Sequence, residues 1–292
     1  MSSLRNNSAS IKLAPLALVS VAAAWGLAFV LMKDSLTEQP VNDFLASRFI
    51  VATLAMLAMR PTIIKYFTKD LVLRGAGAGF FLGMGYIFQT YGLSHTTAAI
   101  TGFVTGLYVV FTPLIAALLL KKRIPTKAWI AVLIATIGLA FLSLEGFSIS
   151  FGAILVLISA IFFAAHIVSL GEWSAGRDVY AMTIVQLAMC GLLTTLGAIP
   201  DGFMLPPSSK VWWVVVFTAI CGTAIAFVIQ TWAQSVMTPT TVAVLLTTET
   251  VWAALFAVAV GGETLTFRII VGGLLVIFAM YQIIILDSKE SA

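Results

Sequence analysis

Residues 13–32 read LAPLALVSVAAAWGLAFVLM, an uncharged apolar run that follows the basic positions Arg5 and Lys12. About 20 apolar residues in a helix are enough to span the hydrocarbon core of a bilayer. Ala22–Ala24 faintly resembles a signal-peptidase site, but the apolar run continues straight through it. The sequence therefore predicts an uncleaved membrane helix near the amino terminus.

Nine further apolar runs follow, separated by short polar breaks. Backbone groups cannot stay unpaired in hydrocarbon, so runs of this length must be helices, and the alternation typical of an outer-membrane barrel is absent. We therefore predict an all-α membrane protein of ten transmembrane helices, without room for a soluble domain. The predicted spans are 13–32, 42–60, 71–92, 98–120, 128–144, 150–170, 179–199, 210–233, 241–260 and 266–286.

The composition excludes a water-soluble globule. Of the 292 residues, 61% are hydrophobic and only 10% are charged, and the mean hydropathy is +1.08, whereas soluble domains carry about 25% charged residues. The two cysteines, Cys190 and Cys221, lie inside apolar runs and are interpreted as packing residues. The sequence shows no metal-ligand spacing and no cofactor motif, so we expect neither a metal nor a cofactor.

Lysine and arginine are distributed unequally between the loops. With the amino terminus in the cytoplasm, twelve fall on the cytoplasmic side and three (Lys33, Lys210 and Arg268) outside, while Arg48 lies within a span. This is a strong positive-inside signal, so we predict an inner-membrane protein with both termini cytoplasmic. The net charge of +4 is thereby explained without nucleic acid. The twelve are Arg5, Lys12, Arg60, Lys65, Lys69, Arg74, Lys121, Lys122, Arg123, Lys127, Arg177 and Lys289.

The sequence resembles itself at an offset of 141 residues. This offset aligns Gln89 with Gln230 and Trp25 with His166, and it superposes two sets of five spans, 13–144 and 150–286. Because five is odd, the second set must enter the membrane from the opposite side. Two inverted five-helix repeats are typical of alternating-access carriers, whose substrate site lies near the midplane. The alternative is an unrelated ten-helix bundle.

Several motifs resemble the EamA-type members of the drug/metabolite transporter superfamily. They are Trp25-Gly26-Leu27-Ala28-Phe29 with Arg48, Thr112-Pro113-Leu114-Ile115-Ala116-Ala117 before Lys122-Arg123, and Thr248-Glu249-Thr250-Val251 before Gly262-Glu263-Thr264-Leu265. The resemblance implies a ten-span doubled fold and export of a solute, most like the aromatic amino-acid exporters. Lys122 and Thr250 depart from the family pattern, so the resemblance carries no coupling mechanism.

Three ionisable residues lie well inside predicted spans, where charge is costly. Arg48 is a candidate counter-charge to a substrate carboxylate or to Glu249, or an arginine that reaches the interface or caps a helix. Glu249 is a candidate for proton coupling or for recognition of an amino group, or a structural carboxyl bonded to its neighbouring threonines. His166 is a candidate proton shuttle or substrate contact, or a hydrogen-bonded core residue.

Polar and aromatic residues in the spans are the remaining candidates for substrate binding. Thr101, Thr105, Tyr108 and Thr112 share one helical face, which must meet protein or a wet cavity; packing between helices is the alternative. Glycines at 75, 79 and 83 favour close helix packing, or a hinge. The predicted substrate-binding set is Trp25, Tyr86, Gln89, Thr101, Thr105, Tyr108, His166, Gln230, Glu249 and Trp252, and the possible coupling or counter-charge residues are Glu249, His166 and Arg48.

We therefore predict a secondary transporter that exports small metabolites, amino acids of aromatic or other apolar type, by alternating access. Other solutes (a drug, sugar or nucleoside) and a channel-like protein are the alternatives. An intramembrane enzyme is not expected, because the spans hold no zinc-binding His pair and no aspartate dyad. The expected partners are a small-molecule solute and the lipid bilayer, with the chain as a monomer.

Overall fold

The computed structural model describes residues 8–119, 148–237 and 239–290, together with scattered positions from 130 to 145. The predicted fifth span, 128–144, lies largely outside the described residues. So do Arg5 and the basic positions Lys121, Lys122, Arg123 and Lys127.

The first half of the chain forms five described helices and one 3-10 turn. Polar caps start two of the helices: the Thr68 and Thr97 hydroxyls accept hydrogen bonds from the Leu71 and Ile100 N–H groups. The elements are α1 (Ser8–Ser35), α2 (Val41–Met59), the 3-10 turn Pro61–Tyr66, α3 (Lys69–Ser94), α4 (Ala98–Thr105) and α5 (Tyr108–Leu119).

The second half begins after two short antiparallel strands, β1 (Leu144–Glu145) and β2 (Ser148–Ile149). Asp178 and Ser208 cap two of its helices by accepting from the Ala181 and Val211 N–H groups. The helices are α6 (Phe151–Trp173), α7 (Val179–Ala198), α8 (Ser209–Ala219), the π-helical segment Ile220–Ile225, α9 (Ala226–Gln234), α10 (Pro239–Leu246), α11 (Thr248–Ala259) and α12 (Phe267–Glu290), with a 3-10 turn at Ile199–Asp201.

Eight helical stretches within the described residues are long and apolar enough to cross a membrane. The predicted tenth span, 266–286, corresponds to α12, whose described apolar part, Phe267–Ala279, is shorter than a span. The chain is thus an all-helical, multi-pass protein apart from one small β-ribbon, and eight of the ten predicted spans are observed among the described residues.

Two predicted spans are interrupted, and a third is irregular. The span 98–120 breaks between α4 and α5, at Gly106 and Leu107, and the span 241–260 breaks at Thr247, between α10 and α11. The span 210–233 stays helical but widens into the π-helical segment. Broken helices at membrane depth are tolerated where the freed backbone groups face protein or a cavity.

The glycines of α3 let it lie directly against α7. A Cβ atom at Gly79 would lie 2.6 Å from the Gln186 carbonyl oxygen, and one at Gly75 would lie 2.9 Å from Val185. On another face of α3, a Cβ atom added at Gly85 would lie 2.6 Å from the Phe163 ring of α6. The predicted role of these glycines in close packing is confirmed.

Polar contacts group the helix ends at two ends of the bundle. At the end that holds Ser35, called here the Ser35 end, Lys33 donates to the Thr96 carbonyl at 2.7 Å and Gln39 to the Met204 carbonyl at 2.9 Å. The His95 ring meets the Phe151 ring there, with centroids 5.5 Å apart. The end of α1, the turn after α3, the start of α6 and the loop after α7 therefore lie together.

The other end, called the Asp70 end, gathers the loop after α2 and the loop after α6. Arg177 contacts the Asp70 carboxylate at 2.6 Å, and Arg60 lies 3.7 Å from Asp178. Tyr180 also donates to the Met56 carbonyl at 2.9 Å. The basic residues of these two loops are thus on one end of the bundle.

Candidate functional site

A small chamber of about 40 Å³ lies between the two halves of the chain. Side chains from both halves form its wall, and the α4–α5 and α10–α11 breaks both border it. The lining residues are Trp25, Ala28, Phe29, Met32, Arg48, Tyr86, Gln89, Thr105, Tyr108, Phe163, His166, Ile167, Phe227, Gln230, Leu246 and Glu249.

Ten of these residues form five pairs at the offset of 141. Each pair takes one residue from each half, so equivalent positions of the two repeats meet at one chamber. The two halves also touch at Gly26, where an added Cβ atom would lie 2.7 Å from the Ala253 backbone nitrogen. The pairs are Trp25 with His166, Tyr86 with Phe227, Gln89 with Gln230, Thr105 with Leu246, and Tyr108 with Glu249.

The chamber has an aromatic wall centred on Phe227 and Tyr86. Phe227 lies 5.5 Å from Trp25 and 6.1 Å from Tyr86, measured between ring centroids, and Tyr86 meets Phe163 edge-on at 5.4 Å. Such rings supply a large apolar contact surface whose faces attract cations. The wall therefore suits an amphipathic organic molecule better than a bare ion.

Arg48 is 1% exposed and reaches into the chamber, not to the membrane interface. Its Nε donates to Thr223 Oγ1 at 2.7 Å, its Nη2 to the Gly222 carbonyl at 3.2 Å, and its Nη1 contacts Met32 Sδ at 3.2 Å. The guanidinium also lies over the Tyr86 ring, 4.9 Å from the centroid.

No carboxylate of the described residues lies within 4.0 Å of the Arg48 guanidinium, so Arg48 and Glu249 are not an ion pair. The structure therefore does not show Arg48 as the direct partner of Glu249, and a counter-charge role toward Glu249 stays a prediction. A buried guanidinium carries five N–H donors and costs free energy when it lacks an anion. The alternative interpretation, a counter-charge for a solute carboxylate, remains a prediction.

Glu249 is 4% exposed and lines the chamber from the first turn of α11. The neighbouring threonines are bonded elsewhere: Thr247, Thr248 and Thr250 donate to the carbonyls of Val244, Leu245 and Thr247. The Glu249 carboxyl has no hydrogen-bond partner among the described residues, so the expected bonding to its own threonines is not observed.

Two other polar atoms in the chamber are buried without a partner among the described residues. They are the Tyr108 hydroxyl and Gln230 Oε1, while Gln230 Nε2 donates to Gln234 Oε1 at 3.1 Å. Buried polar groups are normally hydrogen-bonded, and an unpaired one calls for a specific explanation. Together with Glu249, these atoms offer hydrogen-bond acceptors and one hydroxyl donor to a bound solute.

The remaining polar residues of the chamber are bonded to protein. Gln89 Nε2 donates to Thr105 Oγ1 at 3.0 Å. His166 Nε2 lies 2.8 Å from Gln186 Oε1, and its ring meets the Phe227 ring at 6.0 Å. His166 is therefore both a hydrogen-bonded buried residue and part of the chamber wall.

Two residues of the predicted binding set do not line the chamber. Thr101 is fully buried, and its hydroxyl donates to the Thr97 carbonyl within α4. Trp252 stacks on Phe256 one turn further along α11, at 5.9 Å. The break after Thr105 interrupts the face that Thr101 was predicted to share with Tyr108, and Trp252 lies too far along its helix. The structure brings the other eight, and Arg48, to the chamber.

Residues that the sequence did not single out complete the wall. Phe227 could have been found, because it is the offset partner of Tyr86. Phe29, Met32 and Phe163 carry no comparable signal, since apolar residues occur on every face of these helices. The described residues contain no cluster of three histidine, cysteine, aspartate or glutamate side chains that could hold a metal ion.

Comparison with known proteins identifies the family. The model of the EamA-like transporter family matches the chain twice, at residues 12–144 and 150–285. A solved structure titled only as a protein crystal structure has a TM-score of 0.68 at 17% identity, covering 98% of this chain and 100% of that one. That likeness concerns the fold alone.

Two relatives are similar over much of their length. A protein of Archaeoglobus fulgidus named "Uncharacterized transporter" is 33% identical over 294 residues, which cover 95% of this chain and 92% of the relative. The pseudopaline exporter CntI of Pseudomonas aeruginosa is 26% identical over 192 residues, covering 62% of this chain and 64% of that protein. The chain belongs to the EamA-like transporter family and is a multi-pass membrane transporter, not an enzyme.

Proposed function

We propose that this protein is a secondary transporter that exports amino acids, aromatic or otherwise apolar, across the inner membrane by alternating access. The observation that carries the proposal is the chamber, which both halves line with equivalent residues. Among the described residues, Arg48 there has no carboxylate partner and Glu249 has no hydrogen-bond partner. A solute enclosed there contacts both halves at once, as a rocking carrier requires.

The contacts at the bundle ends support the inverted arrangement of the halves, 13–144 and 150–286. Lys33, close to the end of α1, bonds to Thr96, and the neighbouring His95 packs on Phe151, at the start of α6. The first helix of one half thus ends where the first helix of the other begins. Two such helices run in opposite directions through the bundle, as the parity of five spans requires.

The charges in the chamber favour a zwitterionic solute. Within the part of the chain that the structure describes, the Arg48 guanidinium has no carboxylate partner. The Glu249 carboxyl, Gln230 Oε1 and the Tyr108 hydroxyl have no hydrogen-bond partner there either, and a solute ammonium group could supply one. Between them, the Trp25, Tyr86 and Phe227 rings offer an apolar surface. An α-amino acid with an apolar side chain matches all three features.

The distribution of basic residues supports the proposed orientation. Arg60, Lys65, Lys69, Arg74 and Arg177 lie at the Asp70 end of the bundle, which we assign to the cytoplasm. The Ser35 end carries three basic residues in the contacts described, namely Lys33, Lys210 and Arg268. Export is the direction that the family resemblance suggests.

A reconstituted counterflow assay tests the proposal. Liposomes loaded with unlabelled solute are given the labelled compound outside, and the panel compares amino acids, the corresponding amines and carboxylic acids, sugars and nucleosides. We expect trans-stimulated uptake of apolar amino acids over empty vesicles. Uptake without trans-stimulation would indicate a channel, and trans-stimulation by sugars or nucleosides alone would assign a different solute class.

The relative named as a pseudopaline exporter adds one compound to the panel. Pseudopaline counterflow without amino-acid counterflow would replace the proposed solute while leaving the carrier mechanism in place. The chamber residues that either solute contacts are the same, so the same preparation answers both questions.

A further inference from the structure

The π-helical segment Ile220–Ile225 lies directly behind Arg48. Its Gly222 carbonyl accepts two hydrogen bonds, one from Arg48 Nη2 at 3.2 Å and one from Trp25 Nε1 at 2.8 Å. The Thr223 hydroxyl accepts a third, from Arg48 Nε at 2.7 Å. One wide turn of helix in the second half thus orients two chamber residues of the first half.

This turn has no equivalent in the first repeat. The offset of 141 relates Gly222 and Thr223 to Phe81 and Leu82, which lie in the unbroken α-helix α3. A π-helical turn costs stability relative to a regular one and is often found at functional sites. The turn is therefore a specific feature of the wall around Arg48, not a consequence of the duplicated fold.

Gly222 lies directly beside both chamber residues. A Cβ atom at Gly222 would lie 3.4 Å from Arg48 Nη2 and 3.9 Å from Trp25 Cδ1. The Arg48 guanidinium donates from Nε and Nη2 to the π-helical segment. It also lies over the Tyr86 ring. A planar group fixed at two donors cannot rotate to follow a displaced ligand.

We propose that Thr223 and the π-helical turn are the positioning element that holds Arg48 ready for a solute carboxylate. This inference rests on the proposed function, because it assigns Arg48 to the solute carboxylate. Thr223 makes no contact with the solute in this scheme. It acts through Arg48 and contributes to the selection of amino acids over their decarboxylated amines.

The substitution Thr223→Val tests the inference, because valine has nearly the same shape but cannot accept a hydrogen bond. We expect KM for an apolar amino acid to rise about 10-fold or more, since bonds to charged groups are strong. The maximal rate should stay within about twofold, and transport of the corresponding amine should keep its KM. Thr223→Ser should restore the wild-type discrimination between the two solutes.

Thr218→Val is the matched control. Thr218 is fully buried on α8, one turn and a half before Thr223, and its hydroxyl donates only to the Val214 and Val215 carbonyls. We expect the Thr218→Val variant to discriminate between the amino acid and the amine as the wild type does. Should Thr223→Val fail to fold, Thr223→Ala against Thr223→Ser makes the same comparison.

Two results would overturn the inference, and they are distinguishable. If the wild type shows no counterflow of amino acids, the proposed function fails and the inference with it. If the wild type carries amino acids but Thr223→Val raises KM equally for acid and amine, or not at all, only the positioning role fails.

Discussion

At the scale of single residues, the chamber contains two groups that ordinary packing would not leave unpaired. Ionisable side chains at membrane depth cost about 2.5–3.5 kcal/mol on insertion scales, yet Arg48 lacks a carboxylate and Glu249 lacks a hydrogen-bond partner among the described residues. Their persistence in the chamber wall is explained if a solute provides the missing partners during transport.

Glu249→Gln tests proton coupling. Glutamine keeps the size and polarity of the side chain but cannot release a proton, so we expect pH-gradient-driven uptake into liposomes to be abolished. Counterflow without a gradient requires only solute binding and rocking. It should persist with a higher KM, because the glutamine amide still accepts a hydrogen bond from the solute ammonium group but carries no charge. Both rates are measured with the same labelled amino acid.

Glu38→Gln is the control for this experiment. Glu38 is an exposed carboxylate at the Ser35 end, where it accepts from the Ser208 hydroxyl at 2.9 Å. It should leave both rates unchanged. A Glu249→Gln variant whose uptake still follows the pH gradient as the wild type does would remove Glu249 from the coupling mechanism.

The sequence predicted much of the chamber at this scale, for a definite reason. Polar residues in an apolar helix are rare, so Gln89, Gln230 and Glu249 could be recognised without coordinates. The offset then aligned Gln89 with Gln230 and Tyr108 with Glu249. Phe29 and Phe163 could not be recognised, because a phenylalanine that faces lipid and one that faces a chamber are alike in sequence.

At the scale of elements, the helices are held by glycine contacts and by a few capped ends. Gly79→Ala should push α3 away from α7, since the added Cβ would lie 2.6 Å from the Gln186 carbonyl and 2.8 Å from Gln186 Cα. We expect a loss of about 1–3 kcal/mol in the free energy of unfolding. Thermal unfolding in detergent measures it as a lower Tm.

Gly191→Ala provides the matched comparison on α7. Gly191 is also buried, but its nearest neighbour, Phe49 Cβ, would lie 3.6 Å from the new atom, an ordinary contact. Alanine favours a helix interior by up to about 1 kcal/mol over glycine, so Tm should hold or rise. Equal Tm values for the two variants would contradict the close contact of α3 with α7.

The Glu263 carboxylate links helix ends at the Ser35 end of the bundle, and we call its contacts the Glu263 clamp. Glu263 accepts from the Ala98 N–H at 2.7 Å and the Ala99 N–H at 3.2 Å, at the start of α4, and lies 3.7 Å from Lys33 Nζ. A negative charge at a helix N-terminus is stabilising. The offset of 141 aligns Lys33 with Ser174 and Ala98 with Pro239. Since proline has no N–H to donate, the second half cannot form the same contact.

Glu263→Gln should weaken this clamp by about 1–2 kcal/mol, because the amide keeps one acceptor but loses the charge. The readout is again Tm in detergent. Asp34→Asn serves as its control, since the Asp34–Lys210 pair at the same end is 3.4 Å long and more than half exposed, and exposed pairs contribute little. Equal shifts in the two variants would show that the clamp contributes no more than a surface pair.

Sequence reasoning was weakest for the elements because hydrophobicity reports where a span lies and not whether it is continuous. Gly106 lies at the break between α4 and α5, but Gly79 and Gly83 lie inside the continuous helix α3 and only allow close packing. A glycine in the sequence therefore does not by itself predict a break. The π-helical turn at Ile220–Ile225 carries no signal at all. The Gly222 carbonyl of this turn binds Arg48, which is 174 residues away in the chain.

At the scale of the whole molecule, the helices of the two halves exchange equivalent contacts. The first helix of the first half, α1, packs on α11 of the second, and the equivalent helix α6 packs on α5 of the first. In the same way α3 packs on α6, while α9 packs on α1. An exchange of this kind is expected of two repeats related by a two-fold axis and not of a bundle of unrelated helices.

The inverted arrangement makes a prediction about the two sides of the membrane. The amino terminus leads into α1, and residues 146–149 lead into α6, so epitope tags at these two places should be reached from opposite sides. A tag at the carboxyl terminus should share the side of the amino-terminal tag, because an even number of spans, the predicted ten, would return the chain to the side where it began. The measurement is antibody access in intact and in permeabilised cells.

The single substitutions Thr37→Cys and Ala175→Cys identify the two sides of the membrane for this experiment. They are made in a variant that lacks Cys190 and Cys221. Thr37 is exposed at the Ser35 end and Ala175 at the Asp70 end, so an impermeant thiol reagent should label the first from outside and the second only after permeabilisation. Once this labelling pattern is established, a tag at residues 146–149 that is reached from the same side as Ala175 would mean that α6 runs parallel to α1. The halves would then share one orientation, and rocking about a common chamber would lose its structural basis.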